Sequence, residues 1–187
     1  MPALFLSLIA SALALAGGRS ARLVAQLSAA LGGSGGLLAV CWLTSALTCA
    51  LAAWGGGLVE PILNANGKTM FVAMALAMAA LELAWPQRRK APAEPTRSLG
   101  AMALVLLARQ ATDAARFLVL ALSVATGMPV LAAVGGAIGT GATLTLAWAL
   151  GAAWEERLPL AAIRLGIAGL FVVAAGWAAL AARGAIG

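Results

Sequence analysis

The sequence predicts an all-α, polytopic membrane protein whose six transmembrane helices form two inverted repeats of three. Three observations lead to this fold class. The 187 residues are 63% hydrophobic and only 10% charged, and their mean hydropathy is +1.01, which is too apolar for a water-soluble domain. The apolar residues fall into six long spans. Short blocks of the first three spans recur, in order, in the last three.

Each apolar span is about 19 to 29 residues long, enough to cross ~30 Å of hydrocarbon. The first is interrupted by Gly17-Gly18-Arg19-Ser20. Because its start lacks the positive charge of a signal peptide, we expect this segment to be kept as a helix. In chain order the spans cover Ala3–Leu31, Gly36–Gly56, Gly67–Trp85, Leu99–Thr126, Val130–Trp154 and Leu160–Ala182.

A polar connection divides the chain into two halves. Residues 1–85 form the first predicted repeat, 86–98 a proline-rich linker, and 99–187 the second repeat. The linker is strongly basic, so the positive-inside rule predicts that it is cytoplasmic and that both termini lie on the other side of the membrane. The basic residues concerned are Arg88, Arg89, Lys90 and Arg97.

The short, alanine-rich chain with minimal loops favours a multi-pass protein of a bacterial inner membrane, with the lipid bilayer as its surroundings. Its fifth span carries small residues four positions apart, at Gly135 and Gly139. This spacing predicts that two helices approach each other closely there.

The repeat is seen as matched blocks. The block from Leu23 to Gly32 matches the block from Leu118 to Gly127 at a constant offset of 95 residues, and two shorter blocks follow at offsets of 97 and 100. Three spans per copy is an odd number, so the second copy inserts in the opposite orientation. Inverted repeats of this kind are typical of secondary transporters, whose substrate sites lie near the middle of the membrane where the repeats meet.

The stretch Ala108–Phe117 contains Asp113, the only acidic residue that we expect deep in the membrane. Arg109, Asp113 and Arg116 are spaced i, i+4 and i+7, so a continuous helix would present all three on one face. Ionisable groups at that depth cost several kcal/mol, and they mark either a functional pathway or a buried pair.

The repeat aligns this stretch with the interruption of the first span. Residues 110–115 read Gln-Ala-Thr-Asp-Ala-Ala and correspond to residues 15–20, which read Leu-Ala-Gly-Gly-Arg-Ser. We therefore expect a substrate or ion pathway between these two segments. Its candidate residues are Gly17, Gly18, Arg19, Ser20, Gln110, Thr112 and Asp113.

These two segments and the order of the spans make the chain resemble the Golgi-type calcium/manganese cation–proton exchangers of the lysine-exporter superfamily. Members of that family carry Glu-x-Gly-Asp-Lys-Thr/Ser in the first helix of each of two inverted halves. Gly17 and Ser20 match this signature in the first half, where Arg19 stands for its lysine. Asp113 matches it in the second half, and it is the only one of the family's four carboxylates that remains.

The resemblance implies a secondary transporter that exchanges Mn²⁺ or Ca²⁺ for protons, with Asp113 as a metal ligand. A hard divalent ion prefers several charged oxygen ligands, so we expect a changed specificity or a lost activity. The alternative is a non-transporting paralogue that regulates an intact exchanger by assembling with it. The chain would then be part of a homo- or hetero-oligomer.

Two arginine partners for Asp113 stay open. Because the two motifs face each other in the family, Arg19 is expected to reach Asp113 across the pseudo-two-fold axis. Alternatively, Arg109 pairs with Asp113 at i, i+4 within one helix. Arg116 adds positive charge at the same level. An excess of arginine in a cavity favours an anionic substrate over a metal cation.

The composition argues against other classes of function. No basic face is interleaved with aromatic residues, as binding of nucleic acid would require. Cys41 and Cys49 lie eight residues apart on one predicted helix, too far for a disulfide. The sequence has no nucleophile–base pair, metal-ligand set or phosphate-binding loop. We therefore expect neither an enzyme nor a cofactor.

Overall fold

A computed structural model describes residues 2–86, 98–157 and 159–184, and within these ranges the secondary structure is entirely helical. The all-α prediction is thereby confirmed. The basic residues predicted to orient the chain, Arg88, Arg89, Lys90 and Arg97, lie outside the described residues. The helices are α1 Pro2–Ala16, α2 Arg19–Leu31, α3 Gly35–Val59, α4 Ala65–Ala84, α5 Leu99–Ala111, α6 Ala114–Thr126, α7 Pro129–Leu150, α8 Ala153–Arg157 and α9 Leu160–Ala182, with a 3-10 turn at Glu60–Ile62 after α3.

Four of the described helices, α3, α4, α7 and α9, are each long and apolar enough to cross a membrane. A fifth candidate span is the pair of α1 and α2, which is bent by 63° at the break between them. The chain is therefore a multi-pass membrane protein with four to five candidate spans. α5 and α6 are apolar but have 13 residues each, so each is about 20 Å long and cannot cross the bilayer alone.

The predicted fourth span is not a continuous helix. α5 ends at Ala111, and Asp113 is extended, with φ −84° and ψ 147°, before α6 begins. The prediction that Arg109, Asp113 and Arg116 share one helix face is therefore wrong, because the helical register is lost between them. Arg116 is buried with an exposed fraction of 3%, whereas Arg109 is exposed.

Capping residues account for several helix ends. The Asn64 side chain accepts a hydrogen bond of 2.7 Å from the backbone N–H of Gly67 and starts α4. Gly127 ends α6 in a left-handed conformation with φ 63°. The predicted fifth span extended to Trp154, but α7 stops at Leu150 because Gly151 turns the chain with φ 50°.

α1 and α2 lie along α7 and run in the same direction as α7. A Cβ atom at Gly135 would overlap the carbonyl oxygen of Leu4, so the predicted close packing at this position is confirmed. Near the other end of the pair, Ser28 donates a hydrogen bond of 2.6 Å to the carbonyl oxygen of Trp148. The broken helix of the first half thus follows the long helix α7 of the second half.

α5 and α6 lie along α3 in the same manner. Leu99, which begins α5, packs over Gly36 near the start of α3. Ser123 of α6 donates a hydrogen bond of 2.8 Å to the carbonyl oxygen of Ala53, towards the end of α3. The broken helix of the second half therefore follows a long helix of the first half.

The apolar core forms two main clusters on either side of the helix breaks. One contains side chains of α2, α3, α5 and α7, and is centred on Val24, Leu106 and Leu144. The other contains side chains of α1, α4, α6 and α9, including Leu83 and Phe171. Residues beside the breaks belong to both clusters, and Ser20 and Asp113 at the breaks are buried.

Candidate functional site

The two helix breaks meet inside the protein. Gly18 precedes α2 and Asp113 precedes α6, and both have extended backbone. The hydroxyl of Ser20 donates a hydrogen bond of 2.7 Å to Oδ2 of Asp113. The exposed fractions of Ser20 and Asp113 are 0% and 1%. The structure thus joins one predicted site residue from each half of the chain.

Arg19 does not pair with Asp113. Its Nε donates a hydrogen bond of 2.8 Å to Oε1 of Glu82, which lies near the end of α4. The Glu82 side chain is 8% exposed, whereas that of Arg19 is 45% exposed. The expected ion pair between Arg19 and Asp113 is therefore replaced by a pair between Arg19 and the carboxylate of Glu82 on α4.

The alternative pair of Arg109 with Asp113 is not formed either. Among the described residues, no Lys or Arg nitrogen lies within 4.0 Å of the Asp113 carboxylate. The i, i+4 pairing requires a continuous helix, and the chain leaves helical geometry at Thr112. Both expected pairings are therefore wrong. The helix break takes Arg109 and Asp113 out of i, i+4 register, and Arg19 pairs with Glu82 instead.

Arg116 ties the second break to α3. Its Nε donates to the Thr48 hydroxyl and its Nη2 to Oε1 of Gln110, each at 2.7 Å. Gln110 in turn donates a hydrogen bond of 3.1 Å to the hydroxyl of Thr44. Gln110 is thus part of a buried polar network that holds both half-helices against α3.

Three ionisable groups at the breaks each have a buried atom with no hydrogen-bond partner among the described residues. The atoms are Oδ1 of Asp113, Oε2 of Glu82 and Nη1 of Arg116. Burying a charged group without its full set of hydrogen bonds costs free energy. Ionisable groups retained at such a cost in a membrane protein are candidates for function.

Glu82 is the site residue that sequence reasoning missed. It pairs with Arg19 directly after the first break, so α4 brings a second acidic group to the helix breaks. The sequence held a signal for a functional position at Glu82, although not for its place beside the breaks. Glu82 is the only charged residue between Lys68 and Trp85, and an isolated charge in an apolar span indicates a functional position.

A cavity of about 850 Å³ lies beside the breaks, between α2, α4 and α5. Arg109 and Thr112 line it, whereas the buried Asp113 and Ser20 do not. The guanidinium of Arg109 makes no ion pair or hydrogen bond with any described side chain. The ionisable residues that line the cavity are Arg19, Arg22, Glu82 and Arg109.

The two glycines of the first break are explained by close packing. A Cβ atom at Gly17 would lie 2.9 Å from Cβ of Arg164 on α9, and a Cβ atom at Gly18 would lie 3.2 Å from the carbonyl oxygen of Leu15. Neither glycine lines the cavity. Their role here is to let the chain turn at the break while α9 packs against it.

The described part of the chain contains no group of three or more His, Cys, Asp or Glu side chains that could hold a metal ion. Asp113 gives one oxygen to Ser20, and Glu82 gives one to Arg19. These two carboxylates leave a divalent cation fewer oxygen ligands than it prefers.

Comparisons of the chain with protein-family models, with curated proteins and with solved structures found no match.

Proposed function

We propose that this chain is a secondary transporter with six membrane spans in two inverted repeats of three. The observation that carries the proposal is the hydrogen bond between Ser20 and Asp113, which joins the broken helices of the two halves. Discontinuous helices that meet inside the membrane form the substrate and ion sites of many transporters. Broken backbone is tolerated at that depth only where it is buried in protein or lines a cavity.

The positions of the breaks support the repeat. α1 and α5 end 95 residues apart, at Ala16 and Ala111, and the ends of α2 and α6 have the same separation. This is also the offset of the first matched sequence block. Ser28 and Ser123 are again 95 residues apart, and each donates to a backbone carbonyl of the long helix in the opposite half.

The sixth span of this proposal is the pair of α5 and α6. The pair follows α3, from Leu99 beside Gly36 to Ser123 beside Ala53. Because α3 is itself a candidate span, a pair that runs beside most of its length crosses the same thickness of membrane. Both termini then lie on one side, and the basic linker lies on the other, cytoplasmic side of a bacterial inner membrane.

Of the properties that the family resemblance implies, the divalent-cation substrate has the least support from the geometry of the site. Exchange of Mn²⁺ or Ca²⁺ for protons would depend on Asp113 and Glu82, and each already binds a neighbouring side chain. Arginines outnumber carboxylates among the residues that line the cavity. We therefore propose transport with a specificity other than that of a divalent-cation exchanger.

Flux into proteoliposomes tests this proposal. Liposomes with a pH-sensitive dye inside receive Mn²⁺, Ca²⁺, inorganic phosphate or phenyl phosphate under an imposed pH gradient. We expect wild-type protein to transport phenyl phosphate and Asp113→Asn to lose this flux. Ser45→Ala is the matched control, since the Ser45 hydroxyl is buried without a hydrogen-bond partner in the described chain.

The other outcomes are equally informative. Asp113-dependent flux of Mn²⁺ or Ca²⁺ would mean that the exchange implied by the family resemblance survives with one signature carboxylate. No flux of any of these ions through a wild-type protein that elutes as a single folded species would contradict a transport function. Melting temperatures of the variants separate loss of flux from loss of the fold.

A further inference from the structure

The cavity beside the helix breaks has an excess of positive charge. Three arginines and one glutamate line it. Arg19 is paired with Glu82, and Arg22 lies 3.4 Å from the Glu155 carboxylate. Arg109 has no such partner among the described residues, so its charge is left for a ligand to neutralise.

Arg109 also shares the cavity with a like charge. Arg19 lines the same cavity, so the two positive charges repel each other. Such repulsion is strong where the surroundings have a low dielectric constant. An oxyanion between the two side chains would remove it, because a planar guanidinium binds carboxylate and phosphate oxygens through two parallel hydrogen bonds.

Apart from Gln26 and Thr112, the rest of the cavity wall is apolar. It includes Leu81 of α4, Trp85 at the end of α4, Leu23 of α2 and Val105 of α5. The volume of about 850 Å³ is in the range of sites for small organic molecules and is far larger than an inorganic anion needs. A ligand that complements both the arginines and the apolar lining residues has an oxyanion attached to an apolar group.

We propose that this cavity binds an organic anion, with its phosphate or carboxylate group between Arg109 and Arg19 and its apolar group against Leu81 and Val105. The assignment of this cavity as the substrate site of a transporter rests on the proposed function. Its assignment as a binding site depends only on the charges and the lining residues of the cavity.

Equilibrium binding to the purified full chain in a nonionic detergent tests the site without requiring transport. The probe is phenyl phosphate, and calorimetry measures its dissociation constant. We expect Arg109→Gln to weaken binding roughly tenfold or more, because a charge-assisted pair of hydrogen bonds is lost. Arg183→Gln removes the same charge from the exposed end of α9, outside the cavity, and should bind like the wild type.

A second variant covers the case in which Arg109→Gln fails to fold. Val105 lines the cavity and is 46% exposed, so Val105→Trp places an indole ring in the space for the apolar group of the ligand without changing the charge of the cavity. This variant is expected to weaken phenyl phosphate binding as well. Absence of binding by the wild type, or equal binding by the wild type and both cavity variants, would overturn the proposal.

Further probes distinguish the source of the ligand. Inorganic phosphate should bind more weakly than phenyl phosphate, since it lacks the apolar group. If dioctanoyl phosphatidic acid binds more tightly than phenyl phosphate in an Arg109-dependent manner, and dioctanoyl phosphatidylcholine does not bind, the organic anion is a lipid. Binding without flux would support the proposed binding site and contradict the transport function. Flux without Arg109-dependent binding would contradict the binding site alone.

Discussion

The hydroxyl of Ser20 donates a hydrogen bond of 2.7 Å to Asp113 across a sequence separation of 93 residues. Each residue lies at the start of a half-helix, Ser20 within the first turn of α2 and Asp113 at the N-cap of α6. Because both side chains are buried, this bond fixes the two helix breaks against each other. It connects the two halves of the chain inside the helical bundle.

Ser20→Ala is expected to destabilise the protein, because it removes the only hydrogen bond to the Asp113 carboxylate from a described side chain. The buried Asp113 carboxyl group then loses its hydrogen bond from the Ser20 hydroxyl, at a cost of about 1.5–3 kcal/mol. A lower melting temperature in detergent would show this. Ser45→Ala is the control, because the Ser45 hydroxyl is as deeply buried as that of Ser20 but has no hydrogen-bond partner among the described residues.

A double-mutant cycle assigns the effect to the pair. If the Ser20–Asp113 contact carries the energy, Ser20→Ala should cost much less in an Asp113→Ala background, which has no side-chain acceptor, than in the wild type. Strictly additive effects, or a Ser20→Ala variant as stable as Ser45→Ala, would mean that the bond contributes nothing to stability.

The helical fold was predictable because a membrane span must satisfy its backbone hydrogen bonds internally over a long apolar run. The interruption at Gly17 and Gly18 was visible for the same reason, since glycines and an arginine stand out in such a run. The interruption at Asp113 was visible through its alignment with the first. These are local features of the sequence, and the structure contains both breaks.

The pairing of charges was not predictable in the same way. The i, i+4 spacing of Arg109 and Asp113 assumed a helix that continues through Thr112, where the chain in fact leaves helical geometry. The partner of Arg19 depends on how α4 packs beside the breaks, and no sequence spacing encodes that contact. Glu82 therefore became a site residue only with the tertiary structure.

Gly135→Ala is expected to destabilise the packing of α1 on α7, because the added methyl group would overlap the Leu4 carbonyl oxygen. Overpacking of this kind typically costs about 1–3 kcal/mol. Gly166→Ala is the matched control, since a Cβ atom on that glycine of α9 meets no atom within 4 Å. Melting temperatures measure both variants, and similar values for the two would contradict the tight contact.

If the chain crosses the membrane six times, Pro2 and Gly184 lie on the same side of the membrane and Pro86 lies on the other. If α5 and α6 do not cross together, Gly184 lies on the side opposite to Pro2. Single cysteines at these three exposed positions, labelled in intact cells with a membrane-impermeant maleimide, distinguish the two cases. The unchanged chain is the control, because Cys41 and Cys49 are buried with exposed fractions of 0% and should remain unlabelled.

Glu82→Gln is expected to tighten binding of phenyl phosphate, which is the opposite of the effect of Arg109→Gln. Glu82 holds Arg19 through an ion pair, and neutralising it releases the Arg19 guanidinium for the ligand and makes the cavity more positive. A gain of about 1 kcal/mol, roughly fivefold in affinity, is the size expected for one partly screened pair. Glu60→Gln is the matched control, since Glu60 pairs with Lys68 away from the cavity. Weaker binding by Glu82→Gln than by Glu60→Gln would mean that Glu82 positions Arg19 for the anion instead of competing with the anion for Arg19.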